Sequence, residues 1–386
     1  MSDKKWKVLI LYASYGDGHI QVSKALHESF RRHGVDDVLM VDLFAEAHPA
    51  INAMTRYLYL KSYKVLPQVY GWLYYGTKKM PTDTLMGKWI YSFGFGKLKE
   101  IIMQERPDLV INTFPMLVMP ELRKKTGVVI PAYTVLTDFE LHYRWIDPLI
   151  DKFYVATEDL KEQVACVGIP AQKINVSGIP LKESFQQPIR TEEVFEKYGI
   201  DCGKKTVLIM AGSYGVLQGL KALCESVTEI PDTQVLIVCG KNKLLLHEMK
   251  HAFSMQREIK IFGYVDEIHE LMSVSHCMIT KPGGITISEA LITELPLLFY
   301  RPVPGQERDN ANFLTSKGAA MIAYKPEMLT EQIRQMLTNN KLRDSIKQAM
   351  QKLRKTNSAE TVVLDILNDM EWKSPNRTLL PLTKGG

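Results

Sequence analysis

The feature that most constrains the fold of this chain is a regular alternation of short apolar runs with longer amphipathic segments. Short apolar runs predict strands, and strands that alternate with helices are typical of parallel sheets. The predicted strands lie at 7–13, 38–42, 108–113, 131–137, 152–156, 174–177, 205–211, 234–239, 259–262, 277–280, 296–300 and 319–324. The chain is therefore predicted to be an α/β protein with two successive halves.

The alternation lapses at 186–198, which we interpret as a linker between the two halves. Helical patterns at 327–338, 341–354 and 357–371 close the second series. This predicts domains at 1–190 and 191–356, with 357–386 as a C-terminal helix and tail expected to pack back on the N-terminal domain. Two such halves are expected to form a ligand cleft that faces the carboxyl ends of their strands.

Composition excludes several classes of protein. The 386 residues include five cysteines without a CxxC pair, so a disulfide framework is not expected and free thiols in a reducing compartment are. No run approaches the roughly 20 apolar residues that a membrane-spanning helix needs. The apolar run near the N-terminus leads directly into a glycine turn, which favours a first strand over a signal peptide.

The turn after the first predicted strand, YGDGH, carries the first candidate site. Gly16 and Gly18 permit positive φ and close approach of a ligand to the backbone, and a helix is predicted to begin near Gly18. His19 lies at this helix start, where the dipole disfavours imidazolium and keeps the ring neutral. Two interpretations stay open: His19 is a general base, or it only caps the turn.

Two further turns follow strands in the second half. In KPGGITISEA the glycines expose amides to an anion such as diphosphate, and Glu289 lies one helical turn later, where it is either a ribose ligand or a solvated side chain. In PVPGQERDNA the amide and carboxylate side chains that begin at Gln306 suit hexose hydroxyls, or they form an ordinary turn and helix cap.

Two weaker motifs complete the candidates. The sequence AGSYG after the strand at 205–211 is another glycine turn that can hold phosphate. The sequence HEMKH at 247–251 matches a zinc-protease pattern, but both histidines fall largely on the side of the predicted helix away from its apolar residues, so we expect no metal there.

The segment 51–106 is basic and aromatic. It contains nine Lys and Arg against three acids, a balance of +6, whereas the whole chain has a net charge of +5. Aromatic and basic side chains together suit the headgroup layer of an anionic membrane, although packed surface helices or single-stranded nucleic acid fit the same composition. The membrane or acceptor residues expected here are Arg56, Tyr57, Lys61, Tyr63, Lys64, Trp72, Tyr74, Lys78 and Lys79.

Taken in order, YGDGH, KPGGITISEA and PGQE resemble the processive diacylglycerol glucosyltransferases of Gram-positive bacteria, over roughly residues 6–370. Those enzymes are grouped with monogalactosyldiacylglycerol synthase and, more distantly, with the lipid II-forming glycosyltransferase. The resemblance implies the GT-B fold, two Rossmann-like domains with an interdomain cleft. It places the lipid acceptor on the N-terminal domain and the UDP-sugar on the C-terminal domain.

The resemblance also implies roles for single residues. His19 is the expected base, Glu289 the ribose ligand, Gln306 and Glu307 the sugar contacts, and Asp138 a further acceptor-side polar residue counted as catalytic. The expected UDP-sugar residues are Gly18, Gly212, Ser213, Tyr264, Val265, Gly283, Gly284, Ile285, Thr286, Glu289, Gln306, Glu307 and Asn310.

The function expected from the resemblance is inverting transfer of glucose from UDP-glucose to diacylglycerol, repeated on the glucosylated product, without a metal or other cofactor. The expected location is the cytoplasmic face of the cell membrane, by peripheral contact and without nucleic acid. A UDP-galactose donor is the first alternative, because Gln306 and Glu307 suit the 4-hydroxyl of either epimer. A UDP-sugar epimerase, a UDP-sugar sensor and a metalloprotease are the others.

Overall fold

The computed structural model describes residues 6–49, 67–78, 94–211 and 219–373. The chain divides into an N-terminal unit, residues 1–182 with 355–386, and a C-terminal unit, residues 183–354. The boundaries differ from the expected 190/191 and 356/357, and the N-terminal unit is discontinuous in sequence because it includes the last helix.

The N-terminal unit contains a six-stranded sheet in the order β2-β1-β3-β4-β5-β6, with every pair of neighbours parallel. Its strands are β1 Lys7–Tyr12, β2 Asp37–Asp42, β3 Leu109–Asn112, β4 Ala132–Val135, β5 Lys152–Val155 and β6 Ile174–Val176. Its described helices are α1 Asp17–Arg32, α2 Leu43–Ala47, α3 Pro67–Lys78, α4 Phe95–Glu105, α5 Val118–Thr126, α6 Glu158–Cys166 and α15 Ser358–Lys373, with 3-10 turns at Tyr143–Trp145 and Ala171–Lys173.

The C-terminal unit repeats the plan, with a parallel sheet in the order β12-β11-β10-β7-β8-β9. Its strands are β7 Lys205–Met210, β8 Thr233–Val238, β9 Ile259–Phe262, β10 Cys277–Thr280, β11 Leu297–Tyr300 and β12 Ala320–Ala323. Its described helices are α7 Thr191–Tyr198, α8 Leu220–Thr228, α9 Lys243–Ala252, α10 Ile268–Ser273, α11 Gly284–Thr293, α12 Gln306–Ser316, α13 Pro326–Thr338 and α14 Asn340–Leu353, with a 3-10 turn at Glu183–Gln186.

Several strands are buried along their whole length, as expected for parallel sheets that helices cover on both faces. All residues of β3, β4, β8, β10 and β11 are buried. The α/β prediction is therefore confirmed, and each predicted strand is present with its ends within two residues of the expected positions.

The predicted linker at 186–198 is wrong for its second half, because α7 occupies Thr191–Tyr198. Val194 is buried, and Glu270 on α10 accepts hydrogen bonds from Tyr198 Oη and Lys197 Nζ, each at 2.6 Å. This helix is fixed by contacts with the C-terminal unit, which the short polar sequence does not reveal.

Candidate functional site

In the N-terminal unit the strand order changes direction between β1 and β3, since β2 follows β1 on one side and β4 to β6 extend on the other. In open parallel sheets, ligands bind beyond the carboxyl ends of the strands at such a switch point. The turn after β1 leads into α1, whose third residue is His19, and Thr113 directly follows β3. The fold thus brings His19 to the position where a ligand is expected.

The hydrogen bond of the His19 ring defines its tautomer. Nδ1 lies 2.7 Å from the carbonyl oxygen of Thr113. A carbonyl only accepts, so Nδ1 carries the proton and donates it, while Nε2 of the neutral ring keeps its lone pair. Thr137 Oγ1 is a second, longer neighbour of Nδ1 at 3.3 Å. The ring is therefore arranged with Nε2 as the proton acceptor.

Burial lowers the pKa of His19 to about 4, and the hydrogen bond to Thr113 offsets only part of that effect. Phe114 packs edge-on against the imidazole with ring centroids 4.9 Å apart, and Trp145 lies 6.3 Å away. Part of the His19 surface still stays accessible despite this dense surrounding. The ring is neutral near pH 7 for a reason beyond the expected helix dipole, namely desolvation.

A buried polar chain holds the start of α1 against β3. Ser23 Oγ donates to the His19 carbonyl at 2.9 Å and lies 2.8 Å from Thr113 Oγ1, which in turn lies 3.3 Å from the Leu11 carbonyl. Sequence reasoning missed Thr113, Thr137 and Ser23. The signal for the two threonines was their place at the carboxyl ends of β3 and β4, where they share an edge with His19.

Asp138, which was expected to be catalytic, follows Thr137 in the turn after β4 and is 8% exposed. Its neighbour in sequence, Thr137, lies close to the His19 ring. Its role in chemistry stays a prediction.

The C-terminal unit has its switch point between β7 and β10. The turn after β10 contains Gly283, which is the N-cap of α11 and provides no side-chain cap. The amides of Gly284, Ile285 and Thr286 form the first turn of α11, where backbone N–H groups have no intrahelical partner. This terminus is suited to an anion, and Glu289 lies one turn further along, partly exposed. Gly212 and Ser213, expected after β7, lie outside the described residues.

Neither Gly16 nor Gly283 has a positive φ, which for Gly16 differs from the expectation. Gly16 has φ −153° and Gly283 has φ −75°, both accessible to any residue. A Cβ built on either one meets nothing within 4 Å. What these glycines leave is open space at a helix N-terminus, where a side chain would obstruct a ligand.

The turn after β11 places Gln306 and Glu307 in the first turn of α12, both partly exposed. Gly305 at φ 106° requires glycine, and Glu307 Oε2 accepts from the Val303 amide at 3.2 Å. Asn310 is fully buried, and its Nδ2 donates to the Pro282 carbonyl at 3.2 Å. Asn310 thus ties this turn to the 281–284 turn, and its expected sugar contact stays a prediction.

Comparison with known proteins agrees with the two-unit architecture described above. Residues 19–181 match the family model "Monogalactosyldiacylglycerol (MGDG) synthase", and residues 191–353 match "Glycosyl transferases group 1". A "Processive diacylglycerol beta-glucosyltransferase" of Bacillus cytotoxicus is 43% identical over 380 residues, covering 96% of this chain and 98% of the relative.

The chain belongs to the processive diacylglycerol beta-glucosyltransferase family.

Solved structures agree with this family at the level of the fold. S. aureus MnaA, solved with UDP, aligns over 98% of this chain and 99% of its own with a TM-score of 0.64 and 14% identity. MurG from Acinetobacter baumannii aligns over 94% and 99% with a TM-score of 0.60 and 15% identity. Both likenesses show two Rossmann-like domains of the GT-B type and confirm the predicted fold class.

Beyond β9, the segment expected to line the nucleotide pocket in this family contains Tyr264 and Val265. Tyr264 is 45% exposed, and Lys241 Nζ lies 5.3 Å from the centre of its ring. The aromatic face is thus accompanied by a cation at the carboxyl edge of the sheet.

Helix α3 carries the described part of the basic, aromatic segment. Trp72 is 75% exposed and Tyr75 is 41% exposed. Tyr74 instead packs against His142 with ring centroids 5.0 Å apart, and Lys78 Nζ lies 4.0 Å from Glu140. Tyr74 and Lys78 thus anchor the helix to the 140–142 turn, and the expectation that they face a membrane stays a prediction. The other expected membrane residues, Arg56, Tyr57, Lys61, Tyr63, Lys64 and Lys79, lie outside the described residues.

Metal-ligating side chains do not cluster in the part of the chain that the structure describes. His247 and His251 of the HEMKH motif are both exposed on α9. Within the same described residues, no helix is long and apolar enough to cross a membrane.

Proposed function

We propose that this protein transfers glucose from UDP-glucose to the free hydroxyl of 1,2-diacylglycerol and then repeats the transfer on the glucosylated lipid. Support comes from the 43% identity to a relative named for this activity over nearly the full length of both chains. The observation that carries the proposal is the bond from His19 Nδ1 to Thr113, which leaves Nε2 as a base at the switch point of the N-terminal sheet.

The donor binds to the carboxyl edge of the C-terminal sheet. The diphosphate meets the free amides of Gly284, Ile285 and Thr286 and the positive end of the α11 dipole. Glu289 accepts from the ribose hydroxyls, while Gln306 and Glu307 contact the hexose. In this arrangement backbone dipoles stabilise the negative charge of the diphosphate, so the proposed reaction proceeds without a metal or other cofactor.

The transfer is a single displacement. The acceptor oxygen forms a bond to the anomeric carbon as the bond from that carbon to the diphosphate oxygen breaks, and the electron pair leaves with UDP. The hydroxyl proton passes to His19 Nε2. Attack opposite to the leaving group inverts an α-glucosyl donor to a β-glucoside.

The test is an assay with UDP-glucose and diacylglycerol in phosphatidylglycerol vesicles, in EDTA, with products identified by mass. His19→Asn places an amide donor where Nδ1 stood and removes Nε2, so folding should persist while kcat falls by about 100- to 10,000-fold. UDP affinity should stay at the wild-type value, since the donor binds the other unit.

His33→Asn is the matched control. His33 lies at the other end of α1 and its Nδ1 makes the same kind of contact, 2.8 Å from the Ser29 carbonyl. Its substitution should leave turnover unchanged. Full activity of His19→Asn would overturn the assignment of the base. If the wild-type protein turned over only UDP-galactose, the proposed donor would be replaced. If it turned over a UDP-sugar only without lipid, an epimerase would be favoured.

Membrane contact at the cytoplasmic face, by peripheral association, is part of the same proposal. Gln68, Trp72 and Tyr75 are exposed and follow the i, i+4, i+7 spacing of one helical face. Trp and Tyr favour the headgroup layer, and a neighbouring face of α3 is anchored by Tyr74 and Lys78. The helix thus offers its aromatic face to a lipid surface.

Replacing Trp72 and Tyr75 together by serine should reduce binding to phosphatidylglycerol vesicles several-fold in a flotation assay, because the interfacial aromatic area is lost. The matched control is Trp372→Ser, which removes an 82% exposed tryptophan from α15. Equal loss of binding in both variants, or in neither, would contradict the assignment of α3.

A further inference from the structure

Three partly exposed aromatic side chains gather at the carboxyl edge of the N-terminal sheet, beside His19. Tyr15 and Phe114 are stacked with ring centroids 5.8 Å apart and planes 19° apart. Phe44 meets both edge-on, at 6.2 Å from Tyr15 and 5.8 Å from Phe114. We call these residues the aromatic triad.

The triad is built by three neighbouring strands. Tyr15 follows β1, Phe44 follows β2 and Phe114 follows β3, and these strands lie side by side in the order β2-β1-β3. Their carboxyl ends therefore meet at one edge, and the three rings come together there. Aromatic surface that is left open at a switch point is characteristic of a ligand site.

The position of His19 ties the triad to the acceptor. The imidazole and Phe114 rings are perpendicular, with centroids 4.9 Å apart. A hydroxyl that gives its proton to Nε2 must lie about 3 Å from that atom. The carbon atoms that bear this hydroxyl are then within reach of Phe114, which packs against the rest of the triad.

Acidic residues lie close to the triad residues along the chain. Asp17 stands two residues beyond Tyr15 in the first turn of α1, and Glu46 stands two residues beyond Phe44. Asp42 accepts from the amides of Ser14 and Ala45 at 3.0 and 3.1 Å, which fixes it at the same edge. An acyl chain packed here would desolvate these charges at a high cost. A hexose instead offers C–H groups to the rings and hydroxyls to the carboxylates.

We propose that the aromatic triad is a subsite for the hexose of a glucosylated lipid when that lipid serves as acceptor. This rests on the proposed function and names the residues that recognise the second acceptor. A hydroxyl of the bound hexose loses its proton to His19 Nε2 as its oxygen bonds to the anomeric carbon of the donor and UDP departs with the bonding electrons. The triad thereby determines whether a second sugar is added.

The test compares two acceptors that are supplied separately in identical vesicles, diacylglycerol and β-glucosyldiacylglycerol. Phe114→Leu removes the aromatic face and keeps an apolar side chain. The rate on the glucosylated acceptor, divided by the rate on diacylglycerol, should fall roughly tenfold, as expected for loss of an aromatic contact. Phe114→Tyr should restore the ratio because it restores the ring.

Tyr15→Leu gives a second variant, because Tyr15 stacks on Phe114 without carrying the base. The matched control is Phe95→Leu, which removes a partly exposed ring that α4 holds against Lys125. Its ratio should equal that of the wild type. Equal loss of both rates in Phe114→Leu and Tyr15→Leu, or an unchanged ratio in both, would overturn the subsite.

Binding of octyl β-glucoside, followed by saturation-transfer NMR, separates the subsite from the proposed reaction. Wild-type protein should bind it, and Phe114→Leu should bind it several-fold more weakly. A wild-type protein that binds the glucoside through the triad but transfers no glucose refutes the proposed function and keeps the subsite. Absence of binding to the wild type refutes the subsite.

Discussion

One carbonyl oxygen decides which nitrogen of His19 carries the proton. Thr113 can only accept, so its contact with Nδ1 at 2.7 Å fixes the tautomer and leaves Nε2 basic. The helix N-terminus adds a dipole that opposes protonation, but the main cause of the low pKa is burial among Phe114 and Trp145. The neutral imidazole, with Nε2 as proton acceptor, is thus set by its surroundings alone.

The low pKa predicts the pH dependence of the reaction. A pKa lowered from 6.5 to about 4 keeps the His19 base neutral and active from pH 8 down to about pH 5. The acid limb of kcat/KM should therefore have its midpoint near pH 4. Initial rates between about pH 3 and pH 8 at low acceptor concentration measure it.

NMR titration of the histidine C2–H signals provides the control, with the His19 signal assigned by its loss in His19→Asn. His142 should titrate in the same low range, since burial and the nearby charges of Arg144 and Lys78 also lower its pKa to about 4. An acid limb near pH 6.5 together with a His19 signal that titrates there would contradict the buried base.

The residues that sequence reasoning found and those that it missed differ in how far along the chain their partners lie. His19 and Glu289 belong to local motifs in which a strand, a glycine turn and a helix are contiguous. Thr113, which was missed, and Asn310, whose contact with Pro282 was not foreseen, act through partners 94 and 28 residues away. Only the folded sheet brings such partners together, so a single sequence does not reveal them.

Among the elements, α15 has the most specific attachment to its unit. Asp369 accepts from Tyr133 Oη at 2.6 Å, and Asp365 accepts from Tyr154 Oη at 2.7 Å and from Lys152 Nζ at 2.9 Å. The two tyrosines are buried in β4 and β5, and burial raises the pKa of both. We call these contacts the carboxylate clasp. It fastens the last helix to the sheet that holds the base.

Replacing Asp369 by alanine should lower the free energy of unfolding by about 1–3 kcal/mol, since the buried Tyr133 hydroxyl loses its acceptor. Urea unfolding followed by circular dichroism measures the change. Asp365→Ala should cost a similar amount or more, because a tyrosine and a lysine both lose their partner.

Glu371→Ala is the control for the clasp, because Glu371 is an exposed acid on the same helix. Its effect should stay within about 0.5 kcal/mol, as is usual for surface substitutions. If the Asp369→Ala variant were as stable as the Glu371→Ala variant, the clasp would contribute nothing to the free energy of unfolding.

The strands and the closing helices could be predicted because their signal is local, an apolar run or an amphipathic period read over a few residues. Helix α7 shows the limit of such signals. Its eight residues follow a Gln-Gln-Pro run, and the contacts that fix it, from Lys197 and Tyr198 to Glu270, span more than 70 residues. Tertiary contacts thus stabilise a helix that the local helix propensity of its residues did not predict.

On the scale of the whole molecule, the architecture follows from one rule applied twice. Each sheet has its own switch point, between β1 and β3 and between β7 and β10, and each switch point carries a glycine turn that leads into a helix. The sequence predicted that the strands are parallel but not their order in each sheet. Neighbours that are distant in sequence, such as β10 and β7, are set by packing.

The return of α15 to the N-terminal unit has a consequence for synthesis of the chain. Residues 183–354 emerge from the ribosome before α15, the last helix of the N-terminal unit. The C-terminal unit can therefore reach its final fold while the N-terminal unit still lacks this helix. Apolar residues of the N-terminal unit, which Val362, Val363 and Ile366 will cover, stay exposed until α15 has been made. A premature stop near residue 354 would thus harm the half of the protein that was made first.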